Sequence, residues 1–275
     1  MLVIFFVPLV YAFAISISDS DAIINNSFKF VGLKNYFSVM TNSKFLAALG
    51  HTCFFVLTTI TLEFIIGFVV ALLLYREVAG SRVFRLIFAV PLMVAPVVSG
   101  LQWRWLFADQ YGIINALMNK LGLEAPLWFT QVSTSWVTII VANLWLATPF
   151  VILVLLAGLG GLSEELNEAA SIDGAGRWAK IKYVTLPGIK PTIIILLLMN
   201  VGNVLNAGFE IQYLLGNGLI QKVSQTIDIY VLKWGISQGD YAIGTAAGIF
   251  KSVVSIILIF IANKIAKHNG EEQLF

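Results

Sequence analysis

The segment from Glu164 to Pro191 reads EELNEAASIDGAGRWAKIKYVTLPGIKP and lies between two apolar runs of membrane-spanning length. Ser163 precedes two acidic residues, which predicts that it caps a short helix with negative charge in its first turn. The Asp-Gly-Ala-Gly stretch at 173–176 predicts a break there, because glycine supplies the backbone freedom for a sharp bend. A second short helix fits residues 177–185. A helix-break-helix element predicts a docking surface at the membrane face rather than a linker.

The composition predicts an integral membrane protein. Of the 275 residues, 59% are hydrophobic and 12% are charged, whereas soluble domains carry roughly 25% charged residues. The single cysteine, Cys53, excludes an internal disulfide and a cysteine zinc cluster. His51 and His268 are far apart in the sequence, so we expect no metal site. The net charge of +2 is not concentrated in a basic, aromatic-rich patch, so nothing indicates nucleic acid as a partner.

Six apolar runs predict an all-α integral membrane protein with six transmembrane helices in one domain, residues 1–275. The predicted spans cover about residues 2–18, 47–75, 86–106, 135–159, 192–213 and 241–263. Lysine and arginine are about twofold denser in segments 76–85, 161–190 and 264–275 than in the other loops, which predicts that these three segments are cytoplasmic.

The start of the chain leaves two expectations open. No basic residue precedes the first apolar run, so the native N-terminus could be longer. A cleaved signal peptide is the rival interpretation, because Ala12-Phe13-Ala14 has the small-x-small form of a cleavage site. The missing positive charge argues against cleavage.

Three residues within predicted spans are unusual in a membrane. Glu63 lies near the middle of the second span, where a charge costs about 2.5–3.5 kcal/mol on insertion scales. We therefore expect Glu63 to face other helices or a watery cavity. Pro91 and Pro96 predict a locally irregular third span, because each proline removes a backbone hydrogen-bond donor.

The sixth predicted span carries a basic residue and two spaced glycines. Lys251 lies in its middle and needs an acid or carbonyl groups nearby, and Glu210 and Glu63 are the candidate partners. Gly244 and Gly248 form a weak small-xxx-small motif, which favours close packing of helices.

Polar residues recur along the predicted fifth span. Asn200, Asn203, Asn206, Glu210 and Tyr213 are spaced to lie within about 140° of one face of a continuous helix. Such a stripe would be costly against lipid, so it predicts contact with a cavity or another helix. Amide and carboxylate groups suit sugar hydroxyls, which donate and accept hydrogen bonds. Two alternatives stay open: the stripe lines a path for a solute, or its asparagines bind neighbouring helices.

The sequence indicates no catalytic centre. It contains no Gly-rich phosphate loop ending in Gly-Lys-Ser/Thr, so we expect that the chain does not itself bind and hydrolyse ATP. A membrane-embedded enzyme would need acid and base residues clustered at one depth. A purely structural scaffold would not need a polar stripe beside a docking loop.

Residues 161–190 resemble the EAA loop of ABC importer permeases. Glu168-Ala169-Ala170 is followed after three residues by Gly174, and after nine more by Val184-x-Leu186-Pro187. The family pattern has isoleucine at the position of Val184, so a β-branched apolar side chain is kept. An ordinary amphipathic cytoplasmic loop would explain the polarity of the segment but not this spacing.

The resemblance implies a type I ABC importer permease-like core whose EAA loop forms a coupling helix on a separate ATPase subunit. By position, the residues that match the family's contacts are Glu168, Ala169, Ala170 and Gly174, with Glu165, Asp173, Arg177 and Lys180 as flanking charges that form ion pairs or a solvated face.

Further partners follow from the resemblance alone. It implies a heterodimer with a second permease subunit, two ATPase subunits and an extracellular solute-binding protein, in the cytoplasmic membrane of a bacterium or archaeon. This chain would bind no cofactor and no metal, would contact membrane lipid, and ATP and Mg would be used by the partner subunits.

The resemblance extends from about Thr58 to the C-terminus and looks most like the permeases for oligosaccharides and polysaccharide fragments. It rests on residues 206–210 (NAGFE), 226–230 (TIDIY) and 248–253 (GIFKSV). The implied function is import of a carbohydrate, with an oligosaccharide favoured. The alternative is a non-sugar solute such as a glycerol phosphate derivative, an amino acid or a peptide. For a solute that carries a phosphate group we would expect arginines along the spans, and these are almost absent.

The candidate substrate path consists of polar and aromatic residues within the spans: Asn200, Asn203, Asn206, Glu210, Tyr213, Trp145 and Lys251. For Trp145, stacking on a sugar ring and packing within the membrane both stay open. For Lys251, pairing with an acid inside the bundle and direct contact with substrate both stay open.

Overall fold

The computed structural model describes residues 2–20, 24–25, 27–75, 81–202, 205 and 208–268. In these ranges the chain forms helices and turns, together with one isolated antiparallel bridge between Ser18 and Phe30. The prediction of an all-α protein is therefore confirmed.

The helices are numbered here in chain order. They are α1 (Leu2–Ser16), α2 (Lys34–Thr41), α3 (Ser43–Tyr75), α4 (Ser81–Ala89), α5 (Pro96–Leu106), α6 (Ile113–Lys120), α7 (Val132–Gly160), α8 (Glu164–Ile172), α9 (Arg177–Lys180), α10 (Leu186–Gly188), α11 (Lys190–Gly202), α12 (Phe209–Leu215), α13 (Gln221–Ser224), α14 (Ile227–Tyr230) and α15 (Tyr241–His268). A 3₁₀ turn (Val90–Met93) follows α4, and π-helical turns follow α9 (Ile181–Thr185) and α14 (Val231–Ser237).

Several helices are suited to a membrane. Within the described ranges, α3, α7 and residues Tyr241–Lys267 of α15 are each long and apolar enough to cross one. Two broken pairs, Val83–Met93 with Pro96–Leu106 and Arg177–Gly188 with Lys190–Val201, raise this number to five if each pair is one span. The apolar helix Phe6–Ser16 is shorter. The count of six spans therefore stays a prediction.

The third predicted span, residues 86–106, is irregular as expected. Helix α4 ends at Ala89, the 3₁₀ turn follows, and Val94 adopts an extended conformation before α5 begins at Pro96. Pro91 occupies the start of the turn, where its missing N–H leaves no helical hydrogen bond unmade. The two prolines thus stand where the helix is interrupted.

The fifth predicted span, residues 192–213, is not one helix, so that prediction is wrong. Helix α11 ends at Gly202, and α12 begins at Phe209 after Gly208, whose φ of 57° is left-handed. A left-handed residue cannot continue an α-helix, and glycine adopts it without a Cβ clash. Asn200 and Glu210 therefore do not share one helix face, while Asn203 and Asn206 lie outside the described residues.

The chain folds as two compact units. The first contains residues 1–57, 96–142 and 203–257, and the second contains residues 58–95, 143–202 and 258–275. The core of the first unit surrounds Phe45 of α3 and Tyr230 of α14, whose ring centroids lie 5.4 Å apart in edge contact. Burial of these large aromatic side chains is a major favourable term for packing.

The second unit has an apolar core between α3, α7 and α11. It consists of the buried residues Ala71, Val151, Leu155, Leu159, Ile189 and Leu196. A Cβ on Gly67 would lie 2.8 Å from Cγ1 of Val151, so α3 and α7 approach closely at this glycine. Glu63 is only 7% exposed, which confirms that it faces the protein interior rather than lipid.

Gly244 of α15 makes a backbone contact within the first unit. A Cβ on Gly244 would lie 2.5 Å from Cα of Gly235, whereas a Cβ on Gly248 would meet nothing within 4 Å. In the small-xxx-small motif, Gly244 thus allows close contact between two backbone segments, whereas Gly248 makes no such contact.

We expect Gly244→Ala to lower the stability of the purified protein by about 1–3 kcal/mol, because the added methyl must push two backbones apart. Gly248→Ala on the same helix is the matched control and should be neutral or slightly stabilising, since alanine favours helix. Thermal unfolding in detergent measures both variants. Equal melting temperatures for the two would contradict the proposed backbone contact.

Candidate functional site

Residues 161–190 form the predicted helix-break-helix element. Helix α8 ends at Ile172 and α9 starts at Arg177, and between them Gly174 has a φ of 76°. The N–H of Ala175 donates to the carbonyl oxygen of Ala170 at 2.9 Å, as in a Schellman motif, which closes the helix through a left-handed residue. Ser163 precedes α8 but makes no side-chain hydrogen bond to it, so its predicted capping bond is wrong.

The surface of α8 and α9 is largely exposed, and neither helix contains a buried residue. Ile172 and Trp178 are 87% and 83% exposed. Ala170 is half-buried, whereas the other residues assigned to this surface are exposed: Glu165, Glu168, Ala169, Asp173, Gly174 and Arg177. Large apolar side chains beside charged ones on an unpacked surface are typical of an interaction site.

The charges that flank this surface are not paired with one another. In the part of the chain that the structure describes, no salt bridge joins Glu165, Asp173, Arg177 or Lys180. Lys180 Nζ instead donates to Ser171 Oγ at 2.5 Å, which ties α9 to α8 across the break. The expected ion pairs are therefore not formed within this surface.

Both ends of the loop are held by the core of the second unit. A Cβ on Gly188 would lie 2.4 Å from Cδ2 of Leu162, so the two ends touch. Ile189, directly after α10, is fully buried with Leu159 of α7 and Leu196 of α11. The two ends of the loop are thus packed against each other and against two apolar helices, α7 and α11.

A polar cavity of about 400 Å³ lies in the first unit, lined by Gly208, Phe209, Glu210 and Asp228. Lys251 of α15 forms an ion pair with Asp228, and both side chains are largely buried. The expectation that Lys251 pairs with an acid is confirmed, but its partner is neither Glu210 nor Glu63. Glu210 has no hydrogen-bond or ion-pair partner among the described residues, so its carboxylate is available to the cavity.

The other candidate path residues have different surroundings. Asn200 and Trp145 belong to the second unit, where the Asn200 amide donates to the Leu196 carbonyl of its own helix at 2.9 Å. Trp145 is half-buried on α7. Tyr213 belongs to the first unit, is 53% exposed and stacks on Phe209, with ring centroids 5.7 Å apart.

Asp228 was missed by the sequence reasoning, although it pairs with Lys251 and lines the cavity. The available signal was its position as a lone acid in the apolar run TIDIYV, residues 226–231. A buried acid requires a positive partner, and Lys251 required a negative one. The sequence alone did not pair Asp228 with Lys251, because several acids were equally possible partners for Lys251.

The chain is similar over most of its length to known membrane proteins. The trehalose/maltose transport system permease protein MalF of Thermococcus litoralis is 32% identical over 95% of this chain and 88% of that protein. The polygalacturonan/rhamnogalacturonan transport system permease protein YteP of Bacillus subtilis is 32% identical over 90% of this chain and 78% of that protein.

A solved structure has the same fold. A chain in the crystal structure of a bacterial alginate ABC transporter, in complex with its alginate pentasaccharide-bound periplasmic protein, superposes with a TM-score of 0.89. The match covers 99% of this chain and 92% of that chain at 24% identity. The family model described as "binding-protein-dependent transport system inner membrane component" matches residues 63–269. The chain therefore belongs to the family of binding-protein-dependent transport system inner membrane components, the membrane-spanning permease subunits of ABC importers.

Proposed function

We propose that this permease subunit imports a carbohydrate, in particular an oligosaccharide, and that a separate ATPase drives it through the EAA surface of α8 and α9. The observation that carries the coupling part is the exposed EAA surface on a loop whose ends are fixed in a helical core. The carbohydrate part is supported by relatives named for transport of trehalose and maltose and of polygalacturonan and rhamnogalacturonan.

The coupling mechanism follows from the rigidity of the loop. ATP and Mg are bound by two ATPase subunits, which close on ATP binding and displace the EAA surface. Because Leu162 and Gly188 touch and Ile189 is fully buried, little of the displacement is lost within the loop. The movement therefore reaches α7 and α11, and alternating access follows if a second permease subunit responds in the same way.

The cavity around Glu210 is the proposed substrate contact. A solute-binding protein would deliver the sugar at the outer face, where α12 and the following segments lie in the predicted orientation. The Glu210 carboxylate accepts hydrogen bonds from sugar hydroxyls, and the aromatic ring of Phe209 lines the same space. Asn203 and Asn206 stay proposed path residues by their position in the sequence.

The charge of this cavity disfavours the non-sugar alternative of a glycerol phosphate derivative. Two carboxylates, Glu210 and Asp228, meet one ammonium group, Lys251, so the local formal charge is negative. A phosphate group would be repelled by this charge, as an acidic sugar would be, whereas a neutral sugar would not.

The coupling proposal is tested by one substitution made at two glycines. Gly174→Val should reduce the amount of ATPase that co-purifies with the complex at least about tenfold, because a β-branched residue is strained at positive φ. Gly176→Val is the matched control, because Gly176 has a φ of −68° and a Cβ there meets nothing. Glu168→Lys, which reverses an exposed charge, should also release the ATPase. Equal retention by all three variants would contradict the coupling surface.

The role of Glu210 is tested by sugar uptake. Glu210→Ala should lower uptake about 10- to 100-fold, the effect expected on losing hydrogen bonds to a charged group. Assembly with the partner subunits, followed by co-purification, should be unchanged. Glu124→Ala, at an exposed acid in the segment after α6, is the control and should transport normally. Loss of assembly in Glu210→Ala would instead assign Glu210 to helix packing.

Substitutions at the ion pair of Lys251 and Asp228 test whether Lys251 only pairs with this acid or also contacts substrate directly. Lys251→Met should destabilise the protein by about 3 kcal/mol or more, because it leaves a largely buried carboxylate unpaired. The double variant Lys251→Met/Asp228→Asn should recover most of the melting temperature and of the uptake. If it recovers stability without uptake, at least one of Lys251 and Asp228, which lines the cavity, contacts substrate directly.

A further inference from the structure

Helix α6 turns its apolar side outward. Ile113 and Leu117 of this helix, and Leu121 directly after it, are each more than half exposed. Side chains spaced by four residues lie on one face of a helix, so the three form one stripe. Asn115 of the same helix is buried instead. A helix on a water-facing surface buries its apolar face and exposes its polar one, so the usual arrangement is reversed in α6.

The buried side of α6 is fixed to the first unit. Asn115 Nδ2 donates to the carbonyl oxygen of Asp109 at 2.9 Å, and Trp128 Nε1 donates to Asn115 Oδ1 at 2.5 Å. A Cβ on Gly112, directly before α6, would lie 2.6 Å from the carbonyl oxygen of Leu106, the last residue of α5. These contacts set the rotation of α6 about its own axis, and they hold its start against the end of α5. The apolar stripe therefore faces outward by construction.

Two aromatic side chains connect the stripe to a membrane segment. Trp105 in the last turn of α5 and Tyr111 just before α6 are both exposed, and their ring centroids lie 5.3 Å apart. Along α5, the exposed residues Val97, Leu101 and Trp105 recur every four residues, which makes an apolar row on one face of that helix. The two rings thus join the exposed row of α5 to the segment that starts α6.

We propose that α6 is an interfacial anchor, a helix that lies in the plane of the membrane surface with the stripe of Ile113, Leu117 and Leu121 in lipid. In the predicted orientation this is the outer surface. Tryptophan and tyrosine are enriched at the boundary of water and hydrocarbon, because each ring has an apolar body and a polar group. Lys120 is exposed at the end of α6, where its ammonium group can contact lipid phosphates. This contact requires neither a particular solute nor an ATPase.

A lipid surface fits this stripe better than a partner protein does. A standard protein interface contains about 20–30 residues on each side, whereas the stripe and the two rings are five side chains. An interfacial helix needs only a narrow apolar face with polar residues around it, and α6 has exposed polar residues in Asn119 and Lys120. The neighbouring apolar row belongs to α5, which is half of a broken membrane span.

An anchored α6 also fixes the depth of the helix that carries Glu210. A Cβ on Gly100 of α5 would lie 2.7 Å from Cδ1 of Leu214 of α12. Arg104 of α5 donates to the carbonyl oxygen of Leu214 at 3.1 Å. Because α6 is packed on the end of α5, and α5 on α12, the anchor holds both helices at one level of the membrane.

Spin labels measure the depth of α6. The complete transporter, with Cys53→Ser and no other cysteine, carries one of four substitutions: Ile113→Cys, Leu117→Cys, Leu121→Cys or Asn119→Cys. It is placed in nanodiscs of phosphatidylcholine and phosphatidylglycerol. Collision of each label with oxygen, which concentrates in lipid, is compared with collision with a water-soluble nickel complex, without and with the solute-binding protein. Asn119→Cys is the matched control, because Asn119 is exposed and lies about 160° around the helix from Leu117.

We expect the labels at Ile113, Leu117 and Leu121 to lie about 5–10 Å inside the lipid, at similar depths. The label at Asn119 should be reached by the nickel complex, and the solute-binding protein should change none of these values. A helix that runs along the membrane normal would instead change depth by about 6 Å between Ile113 and Leu117, which would overturn the in-plane anchor.

Three other results would also overturn the inference. If the nickel complex reaches Leu117 as readily as Asn119 in both conditions, the stripe lies in water. If Leu117 becomes shielded from both reagents only when the solute-binding protein is added, the stripe is a docking site for that protein. If Leu117 is shielded from both reagents without that protein, a partner subunit of the transporter covers the stripe.

Discussion

The contact between the two ends of the EAA loop is the constraint on which the proposed coupling of this permease depends. Leu162 meets Gly188, and Ile189 is fully buried among residues of α7 and α11. Without this contact, an exposed surface such as α8 could be pulled by a partner while the membrane helices stayed in place. Dense packing transmits displacement, because a close-packed core has low compressibility. In the proposed coupling, the loop is therefore a rigid connection to α7 and α11 rather than a flexible linker.

An interrupted helix lies at the cavity of Glu210. Gly208, directly before α12, has a left-handed φ of 57°, which ends any continuous helix there. Such irregular backbone is tolerated at membrane depth only where protein or a watery cavity covers it. In the first unit the break places Glu210 at the start of a new helix, beside Asp228. A continuous helix would have placed Glu210 on the same face as Asn200 instead.

Local sequence patterns predicted the features that depend on neighbouring residues. The acidic first turn after Ser163 and the Asp-Gly-Ala-Gly stretch at 173–176 predicted a helix, a break and a second helix, because a left-handed glycine and a Schellman motif are set within six residues. The two prolines predicted an irregular third span for a similar reason. By contrast, the polar stripe of the fifth span failed as a helix-face prediction, since periodicity assumes a helix that continues, and Asn-Gly-rich stretches can end one.

The sequence by itself determined the class of the protein, its helix-break-helix loop and the need of Lys251 for an acid or carbonyl groups nearby, because hydropathy, local turn chemistry and the cost of a charge in a membrane act through the chain itself. Only the tertiary structure decided that the partner is Asp228, which lies 23 residues away in a different segment. It also decided that α6 buries Asn115 and exposes Leu117, which reverses the usual arrangement of a surface helix. Burial and pairing depend on which segments pack together, and composition and periodicity do not specify that.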